Sequence, residues 1–595
     1  NVVFTNGAVS TRAGSTKFNT TAIGSFVGDG IYTSRDNTGA ETMVVFAGGT
    51  GWYLTGTSTF ATIPSAQSVF TAGVRVATAQ YENHLFAGNG GVTPYKYNGA
   101  HWTRHGVPSV ASALTGTVSA TGGTYPAATF YFKTVFVNSA TVEGDVSPIS
   151  TGFVVSANGS VELTGIPVAP TSHGVSSRRI YRASGAAGTF QRIATIADNT
   201  TTVYSDTYQP AGATAPSDNG EPPKYSTICL HQNRLFCNDT ANPNYVWYSE
   251  ITEPFTFKAT SFRPIGDGSF DLVKGVFVYE NGVMVQCERS CTLIYMPSTD
   301  PTDWVDIRIR SQYGSKSPFG SFLYKNKAMI PAMENTKFAG FASISGSSLD
   351  PTASALDVAT AGGELSSDRI EPNMFDIDET YVGNISSLVF KNKAYITVTE
   401  AGSTTNGRIW IFDFSISNLN KSQSASWSPL SGLNAAQFTV FNGKLYYVSS
   451  TATGFVYQLE ATAFSDDATA INSTFWTKEF AGIPGHENHD KDFRQANLLV
   501  EKTGSYPMQF GWRVDSDIGE GLTQNIDLTP GGEVWNTKNW GEFNWDAGQG
   551  QEDVRVFLGP ARGKRIQFKF SNMVTLAQRF KVHWMTFTYN LKGKR

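Results

Sequence analysis

The sequence has few cysteines, no long apolar run and no excess of positive charge. Four cysteines in 595 residues are too few for a fold held together by disulfides. No apolar run approaches the roughly 18 residues that cross a bilayer, and the first residues lack the pattern of a signal peptide. A net charge of −4 and a pI near 6.1 give no general affinity for nucleic acid. We therefore expect free thiols and no membrane-spanning segment.

Helix-favouring composition is also scarce. Long stretches rich in Ala, Leu, Glu and Lys are missing, whereas glycine occurs 58 times, proline 25 times, and aromatic residues make up 13% of the chain. This mixture favours strands that are joined by tight turns. The composition therefore predicts an all-β protein with several cores.

A short pattern recurs along the chain: apolar residues, a polar position, an asparagine and a second strand. The asparagines are Asn83, Asn233, Asn281, Asn326, Asn392 and Asn442. They are separated by 150, 48, 45, 66 and 50 residues, and four of these five intervals are close to one propeller blade. Asparagine tolerates the left-handed backbone of a hairpin turn, so we interpret these residues as turn markers and not as a functional site. With a further half-repeat at residues 43–54, the pattern predicts a β-propeller of about seven blades, with six or eight as alternatives and with closure by strands from both chain ends.

The first interval exceeds one repeat by about a hundred residues, which is the size of one β-sandwich. We therefore predict an inserted immunoglobulin-like or fibronectin-like β-sandwich. The last part of the chain lacks the repeat but keeps alternating apolar residues, which predicts a C-terminal β-sandwich. The predicted domains are an N-terminal segment with the first blades (1–107), the inserted sandwich (108–220), the remaining blades (221–471) and the C-terminal sandwich (472–595).

Few residues are candidates for a catalytic or metal-binding site. His486 and His489 are three positions apart in a loop, whereas zinc proteases place two histidines four apart on a helix. The cysteines are spaced too widely for zinc pairs and are better explained as buried thiols: Cys229, Cys237, Cys287 and Cys291. No nucleophile elbow, phosphate loop or dinucleotide fingerprint is present. We predict no enzymatic activity, no cofactor, and no catalytic, cofactor-binding or metal-ligating residue.

Four stretches carry a resemblance to one protein family. Residues 5–18 are similar to an Arg-Pro-Gly-Thr opening segment, with Ala13 in place of the proline. Residues 177–206 resemble fibronectin-like modules of virion proteins. The third and fourth stretches are residues 233–268 and residues 563–570. Together they resemble the nozzle, or packaged-DNA stabilisation, proteins of short-tailed bacteriophages.

The resemblance implies a structural tail protein that is made in the host cytoplasm and built into the virion. Its copies, six by this resemblance, would form a ring below the portal and adaptor, in contact with tail fibre or spike proteins. Genomic double-stranded DNA would pass through the ring without sequence-specific binding. A mildly acidic protein suits this role because the DNA must slide without phosphate contacts, so we expect acidic and neutral side chains to dominate the lumen.

Two other functions remain as alternatives. The first is a propeller-based adhesion or glycan-binding protein, which isolated monomers that bind glycans would support. The second is a polysaccharide-cleaving enzyme, which would need acidic, basic and tyrosine side chains clustered at one mouth of the propeller and activity in a monomer.

Overall fold

The computed structural model describes residues 1–5, 8–64, 69–265, 270–309, 313–324, 327–334, 337–344, 364–365, 376–414, 426–515, 521–529, 550–572 and 579–592. Strands and turns dominate these residues, and the helical segments among them are short 3-10 turns at Thr171–His173, Pro301–Asp303 and Glu379–Asn384. The prediction of an all-β protein is confirmed. Within the described ranges, no helix is both long and apolar enough to cross a membrane.

The N-terminal part comprises three short strands and two antiparallel four-stranded sheets. The short strands are β1 (Val2–Thr5), β2 (Ala8–Thr11) and β3 (Gly14–Lys17). Sheet 1 contains β4 (Gly28–Arg35), β5 (Glu41–Ala47), β6 (Thr50–Leu54) and β7 (Phe60–Thr62). Sheet 2 contains β8 (Ala77–Tyr81), β9 (His84–Gly88), β10 (Tyr95–Tyr97) and β11 (Trp102–Arg104).

Seven strands then form two packed sheets, which we call the inserted sandwich. In chain order they are β12 (Thr115–Ser119), β13 (Ala128–Asn138), β14 (Phe153–Val155), β15 (Ser160–Thr164), β16 (Val175–Ser184), β17 (Gln191–Ile196) and β18 (Tyr204–Asp206). One sheet has the order β12-β15-β18 and the other β14-β13-β16-β17. Their facing side chains share one core, to which both Phe132 and Leu163 belong.

Five further sheets follow the inserted sandwich. Sheet 3 contains β19 (Ile228–His231), β20 (Arg234–Asn238), β21 (Tyr245–Tyr248) and β22 (Phe262–Pro264). Sheet 4 contains β23 (Val273–Tyr279), β24 (Gly282–Cys287), β25 (Cys291–Tyr295) and β26 (Val305–Ile309). Sheet 5 contains β27 (Tyr313–Gly314), β28 (Phe322–Tyr324), β29 (Lys327–Glu334), β30 (Lys337–Ile344) and β31 (Glu364–Leu365).

Sheets 6 and 7 complete this series. Sheet 6 contains β32 (Ser386–Phe390), β33 (Lys393–Val398), β34 (Arg408–Asp413) and β35 (Ser426–Ser431). Sheet 7 contains β36 (Ala435–Phe441), β37 (Lys444–Ser449) and β38 (Val456–Ala461), with β3 as its next strand. The short strands β39 (Ser465–Asp466) and β40 (Thr469–Ala470) extend it.

Sheets 1 to 7 are packed face to face in a closed ring. Each sheet shares a buried apolar cluster with the next one, and another cluster joins sheet 7 to sheet 1. Strand alternation explains this: Val44 and Phe46 pack toward sheet 2, whereas Met43 and Val45 pack toward sheet 7. Strands that are buried on both faces have continuous apolar sequences, and the strands of these sheets do. A ring of face-packed antiparallel sheets is the arrangement of a β-propeller.

The N-terminal segment closes the ring. Strand β3 pairs with β38, so that Thr16 lies opposite Gln458, and it thereby adds a strand from the chain start to the last sheet. The buried Arg12 forms an ion pair with Asp466, which also accepts hydrogen bonds from the backbone N–H and hydroxyl of Ser15. This connection ties the two ends of the ring together.

The asparagine pattern marks the hairpin between the first two strands of a sheet. Five of the six asparagines lie in two-residue turns, and Asn326 lies outside the described residues. Asn233, Asn392 and Asn442 have positive φ, as predicted. In the other two turns the left-handed residue is instead the preceding Glu82 or Glu280.

The C-terminal strands form a second sandwich. They are β41 (Thr474–Trp476), β42 (Lys491–Glu501), β43 (Pro507–Val514), β44 (Leu522–Asp527), β45 (Gln551–Gly563), β46 (Ile566–Asn572) and β47 (Lys581–Leu591). One sheet has the order β1-β2-β47-β42-β45 and the other β41-β46-β43-β44, with one apolar core between them. Strands β1 and β2, which the sequence analysis groups with the first blades, pair here because β2 adds to the edge of β47.

Candidate functional site

An open cleft of about 590 Å³ lies at one end of the inserted sandwich. Its lining contains hydroxyl, amide and aromatic groups but no ionisable side chain other than tyrosine: Thr121, Gly122, Gly123, Thr124, Asn158, Thr207, Tyr208 and Gln209. These residues come from three connections, after β12, before β15 and after β18. We call this feature the Tyr208 cleft.

Glycine allows two walls of the cleft to approach closely. The backbone N–H of Gly123 donates to the carbonyl oxygen of Asn158 at 3.2 Å. A Cβ atom on Gly123 would collide with the carbonyl oxygen of Gly159. A second hydrogen bond links the connection after β12 to the connection after β18. In it, the backbone N–H of Thr124 donates to the carbonyl oxygen of Thr207 at 3.1 Å. The shape of the cleft therefore depends on backbone contacts that a larger side chain would displace.

A buried carboxylate holds the floor of the cleft. Asp206 is fully buried and accepts hydrogen bonds from the backbone N–H groups of Tyr208 at 2.9 Å and Gln209 at 3.0 Å. Its other oxygen accepts from the Tyr125 hydroxyl and from Arg182 Nη1, the latter at 2.8 Å. Burial, followed by the contact with Asp206, raises the pKa of Tyr125 well above its ordinary value, so this hydroxyl stays protonated. The charge of Asp206 is thus compensated inside the protein.

Tyr208 is the unusual residue of the cleft. Its φ of +80° is a left-handed conformation that residues with side chains rarely adopt, and its side chain is 39% exposed. The guanidinium of Arg182 lies 4.2 Å from the ring centroid, and the Tyr125 ring lies 4.8 Å away. Arg182 Nη2 also donates to the carbonyl oxygen of Gln209 at 2.8 Å. These contacts hold an aromatic ring at the cleft despite a backbone cost of about 1–3 kcal/mol.

The arrangement of these groups can bind a ligand. The cleft offers several neutral donors and acceptors beside an aromatic surface, a combination that can orient a ligand rich in hydroxyl groups. Its one nearby ion pair, between Arg182 and Asp206, is buried and internally satisfied. Conversely, no lining residue is a carboxylate or a histidine that could transfer a proton to a bound ligand.

The histidine pair of the sequence analysis lies elsewhere, in the turn before β42. The His486 and His489 rings are 5.4 Å apart. Their carbonyl oxygens accept from Nζ of the fully buried Lys491 at 2.7 and 3.0 Å, and burial lowers the pKa of this lysine. Throughout the described part of the chain, no group of three His, Cys, Asp or Glu side chains is arranged to hold a metal ion. The pair therefore belongs to a loop organised around Lys491.

The cysteines are free thiols in the ring. Cys237, Cys287 and Cys291 are buried and Cys229 is partly buried. Burial raises the pKa of Cys287 to about 12, so its thiol stays protonated and inert near neutral pH. The prediction of buried free thiols is confirmed for three of the four.

No protein-family model and no curated protein matches the chain. Virginiamycin B lyase from Staphylococcus aureus is 8% identical with a TM-score of 0.30, and the match covers 75% of this chain and 97% of the lyase. AztD from Citrobacter koseri is 10% identical with a TM-score of 0.28, covering 68% of this chain and 94% of AztD. YCF48 bound to the D1 peptide is 8% identical with a TM-score of 0.31, covering 77% of this chain and 98% of YCF48. At these values the matches carry no argument about function.

Sequence reasoning missed the Tyr208 cleft. Its residues are ordinary loop residues in the sequence, and neither the left-handed φ of Tyr208 nor its contact with Arg182 can be read from spacing. The pair Gly122 and Gly123 is the one local signal, because paired glycines often mark a close backbone approach.

Proposed function

We propose that the protein is a carbohydrate-binding adhesion protein in which the ring of sheets carries the inserted sandwich and the Tyr208 cleft binds a neutral saccharide. The observation that carries the proposal is Tyr208 itself. A partly exposed tyrosine with a left-handed backbone, supported from behind by Arg182, lies in a cleft lined by neutral polar groups. Backbone strain of this kind concentrates at functional sites.

The chemistry of the cleft defines the ligand class. A sugar ring presents an apolar face, which can stack on the Tyr208 ring, and a rim of hydroxyl groups. The side chains of Thr124, Asn158 and Gln209 are exposed and supply both donors and acceptors for such a rim. An acidic sugar would meet no free cation there, because Arg182 is already paired with Asp206.

The finer architecture is part of the same proposal. We interpret the ring as a seven-bladed propeller that serves as a rigid base, and the inserted sandwich as an immunoglobulin-like or fibronectin-like module between its second and third blades. Arg104, at the end of sheet 2, forms an ion pair at 3.2 Å with Glu221, where the chain returns. The two connections of the sandwich are thus held together at their base.

The test is binding of the full chain to an array of neutral and acidic oligosaccharides. We expect Tyr208→Gly to abolish binding with little net change in stability, because relief of the left-handed φ offsets the lost ring contacts with Arg182 and Tyr125. We expect Tyr208→Phe to retain stacking. Thr124→Ala should weaken binding, whereas Thr117→Ala, at an exposed position on β12 outside the cleft, serves as the matched control. Binding that survives Tyr208→Gly, or that selects acidic sugars, would contradict the proposal.

A second candidate function is the phage tail component implied by the resemblance. It is supported by exposed aromatic side chains on the five-stranded sheet of the C-terminal sandwich, where Phe557 is 70% and Trp584 is 42% exposed. Trp584 lies opposite Leu499 on the neighbouring strand, so apolar surface continues across the sheet. Such surface suits contacts between subunits of a hexameric ring.

Mass photometry and negative-stain imaging would test this candidate, with the full chain alone and mixed with a phage portal–adaptor complex. A ring of about six copies that is lost in a Trp584→Ser and Phe557→Ser double variant would support it. A monomer under both conditions would contradict it. Lumen side chains dominated by Arg and Lys would contradict the expectation of an acidic or neutral channel.

A further inference from the structure

Two side chains meet across the axis of the ring. Arg75 lies two residues before β8 of sheet 2, and Phe319 lies three residues before β28 of sheet 5. The Arg75 guanidinium lies 5.9 Å from the centroid of the Phe319 ring. Sheets 2 and 5 are not neighbours in the ring, because sheets 3 and 4 separate them on one side and sheets 6, 7 and 1 on the other. The contact must therefore cross the central space.

Other contacts place Phe319 in the same central space. Its carbonyl oxygen accepts from the backbone N–H of Ser387 in sheet 6 at 2.9 Å. Its side chain packs against the cluster shared by sheets 2 and 3. The preceding Pro318 lies against Gly275 of sheet 4. A residue that touches this many separate sheets lies close to the axis.

Within the described ranges, no carboxylate forms an ion pair with Arg75. Its Nη1 atom is buried and forms no hydrogen bond with any described residue. Burial lowers the pKa of Arg75 to about 10, so the guanidinium remains charged at neutral pH. The charge of Asp29 raises the pKa of Arg75, but its carboxylate accepts hydrogen bonds from the backbone N–H groups of Gly48, Gly49 and Gly73. Arg75 as a whole is partly exposed, but its Nη1 atom is buried, and buried charged groups in proteins are normally paired.

The surroundings of Arg75 are also defined. The Tyr32 hydroxyl donates to the carbonyl oxygen of Val76 and accepts from Nε2 of Gln437 at 2.7 Å, so it is already engaged. The Phe319 ring covers one side of the guanidinium. What remains is a guanidinium whose buried Nη1 has no hydrogen-bond partner among the described residues.

We propose that Arg75 binds a small monovalent anion, a halide or a carboxylate such as formate, in the axial space of the ring. The guanidinium fork matches such anions, and a single cation neutralises a single negative charge. The bound anion would complete the contact between sheets 2 and 5 and stabilise the ring across its axis. This proposal is independent of the Tyr208 cleft.

The first experiment is anomalous diffraction from crystals of the full chain that have been soaked in sodium bromide. We expect a bromide peak within hydrogen-bond distance of Arg75 Nη1. Water at that position, with bromide only at surface arginines, would overturn the proposal. This measurement uses the wild-type chain, so it does not depend on whether a variant folds.

The second experiment compares thermal unfolding in sodium chloride, sodium formate and sodium gluconate at equal ionic strength, since gluconate is too large for the site. The unfolding temperature of the wild type should rise saturably with chloride and formate relative to gluconate. Arg75→Gln should lose this difference. Arg35→Gln is the matched control, because Arg35 is exposed at the end of β4 and pairs with Glu41. Equal anion responses in the wild type and Arg75→Gln would overturn the proposal.

Discussion

Replacing His105 by phenylalanine should remove much of the acid sensitivity of the junction between the ring and the inserted sandwich. His105 is fully buried, its Nδ1 atom lies 3.0 Å from the Tyr225 hydroxyl, and its Nε2 atom lies 2.8 Å from the carbonyl oxygen of Pro254. Since a carbonyl can only accept, Nε2 carries the proton and Nδ1 accepts from Tyr225. Burial lowers the pKa of His105 from 6.5 to about 3, so the folded protein holds this imidazole neutral.

The sign and size of the effect follow from proton linkage. The unfolded chain takes up a proton below pH 6.5 and the folded protein does not, so this contribution to stability is complete above pH 6.5 and is lost as the pH falls toward 3. At pH 5 the loss is about 2 kcal/mol, since one pKa unit corresponds to about 1.4 kcal/mol. The variant should lack this loss. At pH 7.5 it should instead be less stable by about 1–3 kcal/mol, because Tyr225 and Pro254 lose their partner.

The assay is hydrogen exchange in β9 and β19 at pH 5 and pH 7.5, corrected for intrinsic rates, because a chain with several domains does not unfold in two states. His101→Phe is the control, since His101 is exposed in the turn before β11, whereas His105 directly follows β11. If His105→Phe keeps the full pH dependence of the wild type, the reasoning is refuted. The His105→Phe variant should keep a smaller pH dependence of stability, and this should come from His84, because burial lowers the pKa of His84 to about 4.

Three further outcomes are expected. Asp466→Asn should destabilise the ring closure by about 3–5 kcal/mol because it leaves the buried Arg12 without its charged partner. Asp467→Asn removes only a half-exposed ion pair and should have little effect, and limited proteolysis between β3 and β4 would report both. Phe86→Ala should destabilise the interface of sheets 2 and 3 by about 3–5 kcal/mol in chemical unfolding, while Val154→Ala, 75% exposed, should be neutral. Gly123→Ala should reduce saccharide binding with little effect on the ring, as measured by binding and near-UV circular dichroism together.

The repeated hairpins could be predicted from the sequence because their signal is local. A two-residue turn needs a left-handed backbone, and asparagine supplies it at Asn233, Asn392 and Asn442. The apolar strands beside these turns likewise indicate burial on both faces, as the separate packing of Met43 and Val44 shows. Features of this kind depend on a few neighbouring residues.

Long-range placement could not be predicted in the same way. The pairing of β2 with β47 joins residues more than 570 positions apart, and nothing near Val9 indicates Val582 as its partner. The Tyr208 cleft and the contact of Arg75 with Phe319 likewise arise from separate segments that meet only in the folded protein. Positive φ at Tyr208 is imposed by the surrounding hydrogen bonds and runs against its own preference.

The most direct test of the central claim is a crystal structure of the full chain soaked with a neutral oligosaccharide selected from the array. We predict a sugar ring stacked on Tyr208, with hydroxyl groups bonded to Thr124, Asn158 or Gln209. A saccharide bound elsewhere on the molecule, or a Tyr208 cleft that stays empty when the array shows binding, would contradict the account.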